Sequence, residues 1–258
     1  MYRRLIVVFV VSVVSVVSVG SLGASGVSGA AVVHGPLARW HVASESSNWA
    51  GYAAHGTTFT HVRATWVQPA ATCASSLPQA AAFWVGLDGY ESTTVEQVGT
   101  DVDCNGINQS ASYGWYEMAP APAMPLPKRD VVRAGDTMIG AVNAKGSTYT
   151  LTLADKTAGW KFSIQQTSAT AQNTSGEWIA EAPTGCAGYF CSVLPLANFG
   201  RVRFTNAAAM TTLGTKPSAI TTFAHDKIVM ATRRQEAKAQ PSILSNKGTA
   251  FTVVWNHI

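Results

Sequence analysis

From about residue 45 onward, apolar and polar positions alternate with a period of two in short runs, and almost nowhere recur at helical spacing. Tyr149, Leu151 and Leu153 alternate with Thr148, Thr150 and Thr152. Trp160, Phe162 and Ile164 alternate with Lys161 and Ser163, and Val202 and Phe204 with Arg201 and Arg203. Such runs are half-buried strands. Similar runs at 48–54, 61–68, 81–88, 94–101, 111–118, 136–143, 219–223, 225–231 and 249–255, punctuated by Gly, Pro, Asn and Asp, bring the expected strands to more than ten. That many short strands predicts an all-β sandwich of two antiparallel sheets. The segment 119–127 carries Pro120, Pro122, Pro125 and Pro127, which cannot donate to a ladder, so it reads as a loop. No internal repeat and no interdomain linker follow residue 45.

One strand departs from simple alternation. Gly176-Glu177-Trp178-Ile179-Ala180-Glu181 stops before Pro183 and puts Glu177, Ile179 and Glu181 on one face, Trp178 and Ala180 on the other. With Trp178 as the core anchor, both acids look out onto a groove. The plainer reading is a solvated face with two ordinary glutamates.

The start of the chain has another character. Met1-Tyr2-Arg3-Arg4, an apolar run from Leu5 to about Val19, and small residues such as Gly29-Ala30-Ala31 form a basic head, an apolar middle and a small-residue end. We read residues 1–31 as a secretory signal, 32–45 as a short N-terminal segment and 46–258 as the domain; a retained membrane anchor is the alternative. No second apolar run follows, so the exported chain is expected to be secreted, free of the membrane and monomeric.

Export changes the meaning of the cysteines. Cys73, Cys104, Cys186 and Cys191 form an even set, which favours disulfides over metal or nucleophile roles. Of three pairings, Cys73 with Cys104 and Cys186 with Cys191 is preferred because the second closes a short glycine-containing loop; free thiols and crossed bridges stay open. The formal net charge of +4 arises from 18 basic and 14 acidic residues. The basic ones are scattered, which leaves no nucleic-acid footprint. So few carboxylates suit an acidic environment, and are also common in exported all-β proteins. The six histidines, at 34, 41, 55, 61, 225 and 257, lack ligand spacing, so neither metal nor cofactor is expected.

Polar side chains also interrupt the apolar strands. Asp88 shares a face with Trp84 and Gly86, Gln97 with Val95 and Gly99, and Glu117 with Tyr113 and Trp115. Each alone is weak. Together with Ser47-Asn48-Trp49-Ala50-Gly51-Tyr52, Trp66-Val67-Gln68-Pro69, Trp84-Val85-Gly86-Leu87-Asp88-Gly89, Glu96-Gln97-Val98-Gly99, Trp115-Tyr116-Glu117 and Glu177-Trp178-Ile179-Ala180-Glu181 they form an ordered series. The series resembles that of the eqolisins, the glutamic peptidases, across essentially the whole of 46–258. The resemblance implies a lectin- or glucanase-like (concanavalin-like) sandwich of two bent sheets, and endopeptidase action on polypeptides at acid pH. Position by position it implies Gln97 and Glu181 as the catalytic pair, with Trp84, Asp88 and Glu117 lining the site; Glu177 and Trp49 stand in the same motifs. Val98 replaces the usual Thr, and Met118-Ala119 an aromatic pair, which bears on substrate preference. The stretch before Ser46 is too short for a large inhibitory propeptide.

The chemistry is arguable on its own terms. Peptide hydrolysis needs a base for water, a donor for the oxyanion and an acid for the departing nitrogen. A glutamate of ordinary pKa about 4.3 can supply the first and last, and a glutamine amide donates without adding charge. Asp-Thr-Gly, Gly-x-Ser-x-Gly and His-Glu-x-x-His are all missing from the sequence. The rival function is carbohydrate binding or glycan hydrolysis on a lectin-like sandwich. Glu177 and Glu181 would stand about 13 Å apart along one strand, too far for a glycosidase pair, whereas Glu117 with Glu181 stays open.

Overall fold

The computed structural model describes residues 31–34, 45–187 and 190–256. The expected signal, apart from Ala31, lies outside these. The strands are β1 (Ala31–Val33), β2 (Glu45–Ser46), β3 (Trp49–His55), β4 (Phe59–Val67), β5 (Gln79–Leu87), β6 (Val95–Gly106) and β7 (Gln109–Ala119). Then come β8 (Met124–Pro125), β9 (Thr137–Lys145), β10 (Thr148–Asp155), β11 (Trp160–Thr167), β12 (Gly176–Glu181) and β13 (Thr184–Ala187). The chain ends with β14 (Phe190–Val193), β15 (Arg201–Thr211), β16 (Ser218–Ala219), β17 (Ala224–Ala231), β18 (Ala237–Pro241) and β19 (Phe251–Trp255).

Two layers face each other. One runs β17-β3-β12-β5-β6-β7-β8 and the other β11-β10-β9-β4-β15, while β19 and β18 join them along one side into a single folded path. The inner faces carry the core: Trp178, Phe83, Val85 and Val98 from the first layer meet Trp66, Val142, Leu151 and Leu153 of the second. The all-β sandwich expected from the alternation is what forms. The 119–127 segment is a loop apart from β8, which among the described residues pairs with β7 at the sheet's end, where proline costs no ladder bond.

One expected strand is corrected. Residues 219–223 form only the end of β16 and then a 3-10 turn, Ile220–Thr222. The apolar side chains there, Ile220 and Phe223, are three apart, the repeat of a 3-10 turn and not of a strand. Ile220 enters the core while Phe223 packs edge-on against Phe59. The hairpin β13–β14 and strand β18 carry too little alternation to be foreseen.

Both disulfides form as preferred, Cys73 with Cys104 and Cys186 with Cys191. The second crosses β13 and β14 at directly paired positions.

Candidate functional site

The outer face of the β12-β5-β6-β7 layer is built from rows of directly opposed residues, which share one face of a sheet. One row runs Glu177, Gly86, Gln97, Glu117; the next Ile179, Trp84, Gly99, Trp115; the third Trp49, Glu181, Ala82, Asp101, Tyr113. Trp49, Trp84, Trp115, Ile179 and Val95 form their own buried apolar cluster, separate from the sandwich core. The strand arithmetic thus holds: Trp178 anchors the interior and both glutamates of β12 sit on the other face. That face is not solvated, since Gln97, Glu117, Glu177, Glu181 and Asp101 are all fully buried.

Glycine makes room for the indoles. A Cβ at Gly99 would stand 2.5 Å from the Phe83 carbonyl oxygen and 2.6 Å from the Cβ of Trp84. Trp84 therefore lies low over the sheet, and its Nε1–H donates to Glu181 Oε2 at 2.7 Å. Asn48 donates to Glu181 Oε1 at 3.0 Å, and Ser46 takes the backbone N–H groups of Asn48 and Trp49 on its hydroxyl. Each Glu181 oxygen thus has a neutral N–H donor that fixes the plane of the carboxyl. Trp49 packs edge-on against Trp84, ring centres 5.0 Å apart.

Gln97 donates through Nε2 to Glu117 Oε2 at 3.0 Å. Burial first, and the nearby Glu181 charge second, push the Glu117 carboxyl up to about 10. It is therefore neutral at any acid or neutral pH and holds the amide without competing for a proton. Asp101 accepts from Trp115 Nε1 at 2.6 Å and from Tyr113 Oη at 3.0 Å. Burial holds it well above the usual carboxylate range, with the Asp103 charge adding to the shift.

Over these groups lies residue 34. β1 pairs antiparallel with β13, Val33 opposite Thr184, and carries His34 onto the rows. The His34 carbonyl oxygen accepts from Gln97 Nε2 at 2.9 Å. Its N–H donates to Glu117 at 3.0 Å. The imidazole stacks on Trp115, centroids 3.8 Å apart and 6° from parallel, with Nε2 3.6 Å from Asp101 and Nδ1 4.0 Å from Glu181. Gln97 and Glu181 are two strands and four residues apart on the sheet. The length of both side chains reduces that offset to the span of one residue, His34. A cavity of about 480 Å³ lined by Glu45, Ser47, Leu194, Arg233 and Lys238 includes neither of the two.

Asp88 and Glu177 have their own partners beside these rows. The Asp88 carboxylate is taken up by the backbone N–H groups of Gln172, Asn173 and Thr174, so it clamps the loop before β12. The carboxyl of Glu177 is raised well above its ordinary value by burial, with Ser175, Asp88 and Glu96 as its neighbours. Sequence reasoning gave no role to Asn48, Asp101 or His34. Asp101 continues the Gln97, Gly99 alternation by one more step, a signal that was present; His34, in the short segment before the domain, offered none.

The sequence profile of the Peptidase A4 family matches residues 47–253. Among solved structures, scytalido-glutamic peptidase with a peptide-based transition-state analogue is 25% identical, with a TM-score of 0.70 over 82% of this chain and 99% of that one. SCP-B, an eqolisin in complex with the tripeptide Ala-Ile-His, is 24% identical, TM-score 0.67, over 82% and 99%. Aspergilloglutamic peptidase from Aspergillus niger is 24% identical, TM-score 0.59, over 69% and 99%. No curated protein matches by sequence.

Proposed function

The chain belongs to the Peptidase A4 family and is a glutamic-type endopeptidase; from that premise we propose that Gln97 and Glu181 are its catalytic pair. It would act as an exported monomer on polypeptides, on the acid side of neutrality. The observation that carries the reading is the peptide unit at His34, whose carbonyl oxygen rests on the Gln97 amide 2.9 Å away while its side chain lies beside Glu181. In scytalido-glutamic peptidase a peptide-based analogue of the transition state is bound, and a polypeptide in the position of the His34 main chain is the corresponding ligand here.

With such a substrate in place, ionised Glu181 takes a proton from water as the water attacks the carbonyl carbon. The Gln97 amide donates to the oxygen as it becomes an oxyanion. Glu181, now protonated, passes its proton to the departing nitrogen. Trp84 and Asn48 keep the carboxyl plane fixed through this exchange. Glu117, neutral and bonded to Gln97, keeps the amide aimed without placing a second negative charge beside the oxyanion. Residues 1–31 would direct export. The disulfides agree with an oxidising compartment, and among the described residues no helix is long and apolar enough to cross a membrane.

The test is hydrolysis of a denatured protein at about pH 3 to 5 by wild type, Glu181→Gln and Gln97→Ala. Wild type should cut it, Glu181→Gln should lose roughly three orders of magnitude, and Gln97→Ala roughly two to three. Undiminished hydrolysis in both variants would overturn the pair. Turnover of a glycan without peptide cleavage would return the rival reading.

A further inference from the structure

We propose that the cavity lined by Lys238 and Arg233 is a carboxylate subsite of the peptidase, which holds an anionic group of the substrate about two or three residues beyond the bond that is cut. That group is the substrate's own C-terminal carboxylate, or the side chain of an aspartate or glutamate at the same place. The inference rests on Gln97 and Glu181 as the catalytic pair.

The cavity forms where residues 45–47, residues 193–195 and the turn between β17 and β18 meet. Its volume of about 480 Å³ is that of a ligand site, which spans about 300 to 1,000 Å³. Val193, Leu194 and Ala231 supply an apolar wall, and Lys238 and Arg233 two cations. Arg233 is exposed and Lys238 half-buried. Lys238 donates to the Ser47 carbonyl oxygen at 3.1 Å, and an ammonium has two further N–H groups to give. Among the described residues neither cation forms an ion pair, although Glu45 lines the same cavity. Burial lowers the Lys238 pKa, so the fold holds this charge partly away from water without a counter-ion. An anion in the cavity supplies one. The apolar wall suits a carboxylate on an apolar body, such as a peptide end, better than a bare inorganic anion.

Hydrogen bonds tie the cavity to the centre. The Ser46 hydroxyl, in the cavity wall, donates to Asn48 Oδ1 at 3.2 Å, and Asn48 Nδ2 donates to Glu181 Oε1 at 3.0 Å. Ser47 stands two residues before Trp49, which lies directly opposite Glu181, so the wall is roughly 9 Å from Glu181 on the sheet. At about 3.3 Å per residue, that is two or three residues of extended peptide.

Glu181 also gives the direction. In the proposed mechanism it protonates the departing nitrogen, so the residues that follow the cut leave over Glu181, toward Trp49 and Ser47. A carboxylate on that side is carried by the leaving peptide. A C-terminal carboxyl has an ordinary pKa of about 3.3 to 3.7, aspartate about 3.9 and glutamate about 4.3. Each is at least half ionised at about pH 4.5 and able to meet the Lys238 ammonium. The subsite thus favours cuts that release a short C-terminal fragment, or cuts placed just before an acidic residue.

The test uses the full chain at about pH 4.5 and internally quenched peptides of one sequence. Their C-termini lie two, three or six residues beyond the bond cut, and each is made as the free acid and as the amide. Mass spectrometry fixes the bond, and kcat/KM is measured on each peptide. The expected acid-to-amide ratio is about ten at two or three residues and about one at six. An amide with Asp at the favoured position separates the two sources: a recovered rate assigns the subsite to side chains as well, an unrecovered one to the terminus alone. Lys238→Gln keeps a donor for Ser47 and should bring the ratio to about one, whereas Lys238→Arg should keep it. Glu45→Gln removes the competing carboxylate and should raise the ratio. Equal losses on acid and amide in Lys238→Gln would mean that Lys238 only braces Ser47, and would overturn the inference. A ratio of one at every length, from an enzyme that Glu181→Gln inactivates, would overturn it too and leave the catalytic pair standing. Undiminished hydrolysis by Glu181→Gln would overturn the pair instead, whatever the ratio.

Discussion

Two glutamates in the centre look alike in sequence and differ in what surrounds them. Glu181 accepts N–H groups from Trp84 and Asn48, and in the proposed mechanism it exchanges a proton. Glu117, raised to about 10 by burial and then by Glu181, keeps its proton throughout the acid range. Glutamine is nearly isosteric with a neutral glutamate and can still accept from Gln97. Glu117→Gln should therefore stay within about tenfold of wild type in kcat/KM, with the acid limb of its pH profile unmoved, while Glu181→Gln loses roughly a thousandfold. Equal losses in the two variants would mean that the roles are shared or reversed. Trp84→Phe keeps the apolar floor and removes one donor to Glu181; a fall of about 10- to 100-fold in kcat with little change in KM is expected of a positioning group. Steady-state kinetics on one peptide separates the two parameters.

At the scale of elements, the outer face of β12, β5, β6 and β7 was legible because strand parity is arithmetic. Once Trp178 is assigned to the core, Glu177, Ile179 and Glu181 must face the other way, and the structure has them there. Parity could not say which polar groups on that face meet. Cross-strand pairing sets Gln97 in the row of Glu117 and Glu181 in the row of Asp101, with His34 between the two, and the turn of Asp88 toward residues 172–174 depends on loop conformation that no alternation encodes. The hairpin β13–β14 was invisible for the same reason, although its cysteines marked it. The two disulfides also differ in a way that loop length sets. Cys73 and Cys104 close a separation of 31 residues and Cys186 and Cys191 one of 5. In the chain-entropy picture the first is worth about 3.7 kcal/mol and the second about 2 kcal/mol. Replacing both cysteines of the long loop by Ala should lower the unfolding free energy by the larger amount in denaturant titration. Replacing the short pair should cost less stability and mainly loosen β13, the edge on which β1 docks.

At the scale of the whole molecule, the scarcity of acids acquires a different meaning from the one composition suggested. Of fourteen acidic residues, eight are buried: Asp88, Glu96, Asp101, Glu117, Asp136, Asp155, Glu177 and Glu181. The fold is thus suited to acid less by having few carboxyls than by hiding those it has. Glu96 isolates the effect, because it sits on the inner face opposite Leu87 and Met118, away from the catalytic rows. Burial, and then the charge of Asp88, raise it from 4.5 to about 8. Between those two values the folded chain keeps a proton that the unfolded chain has lost. The unfolded state therefore binds fewer protons, and stability falls as pH rises. The loss is about 1.4 kcal/mol per pH unit for each such group, begins near pH 4.5 and is complete near pH 8; below pH 4.5 the group costs nothing. Glu117, Glu177 and Asp101 shift in the same direction and add to the slope, so the wild type should be most stable in acid and weaken steadily toward pH 8. Glu96→Gln has no proton to lose. Its unfolding free energy, measured in denaturant at half-unit steps from pH 4 to 8, should draw level with or overtake that of the wild type as pH rises, the difference changing by about 1.4 kcal/mol per unit across that window. Parallel curves for the two proteins would mean that Glu96 ionises in the folded state at its ordinary pH, and that acid tolerance has another source.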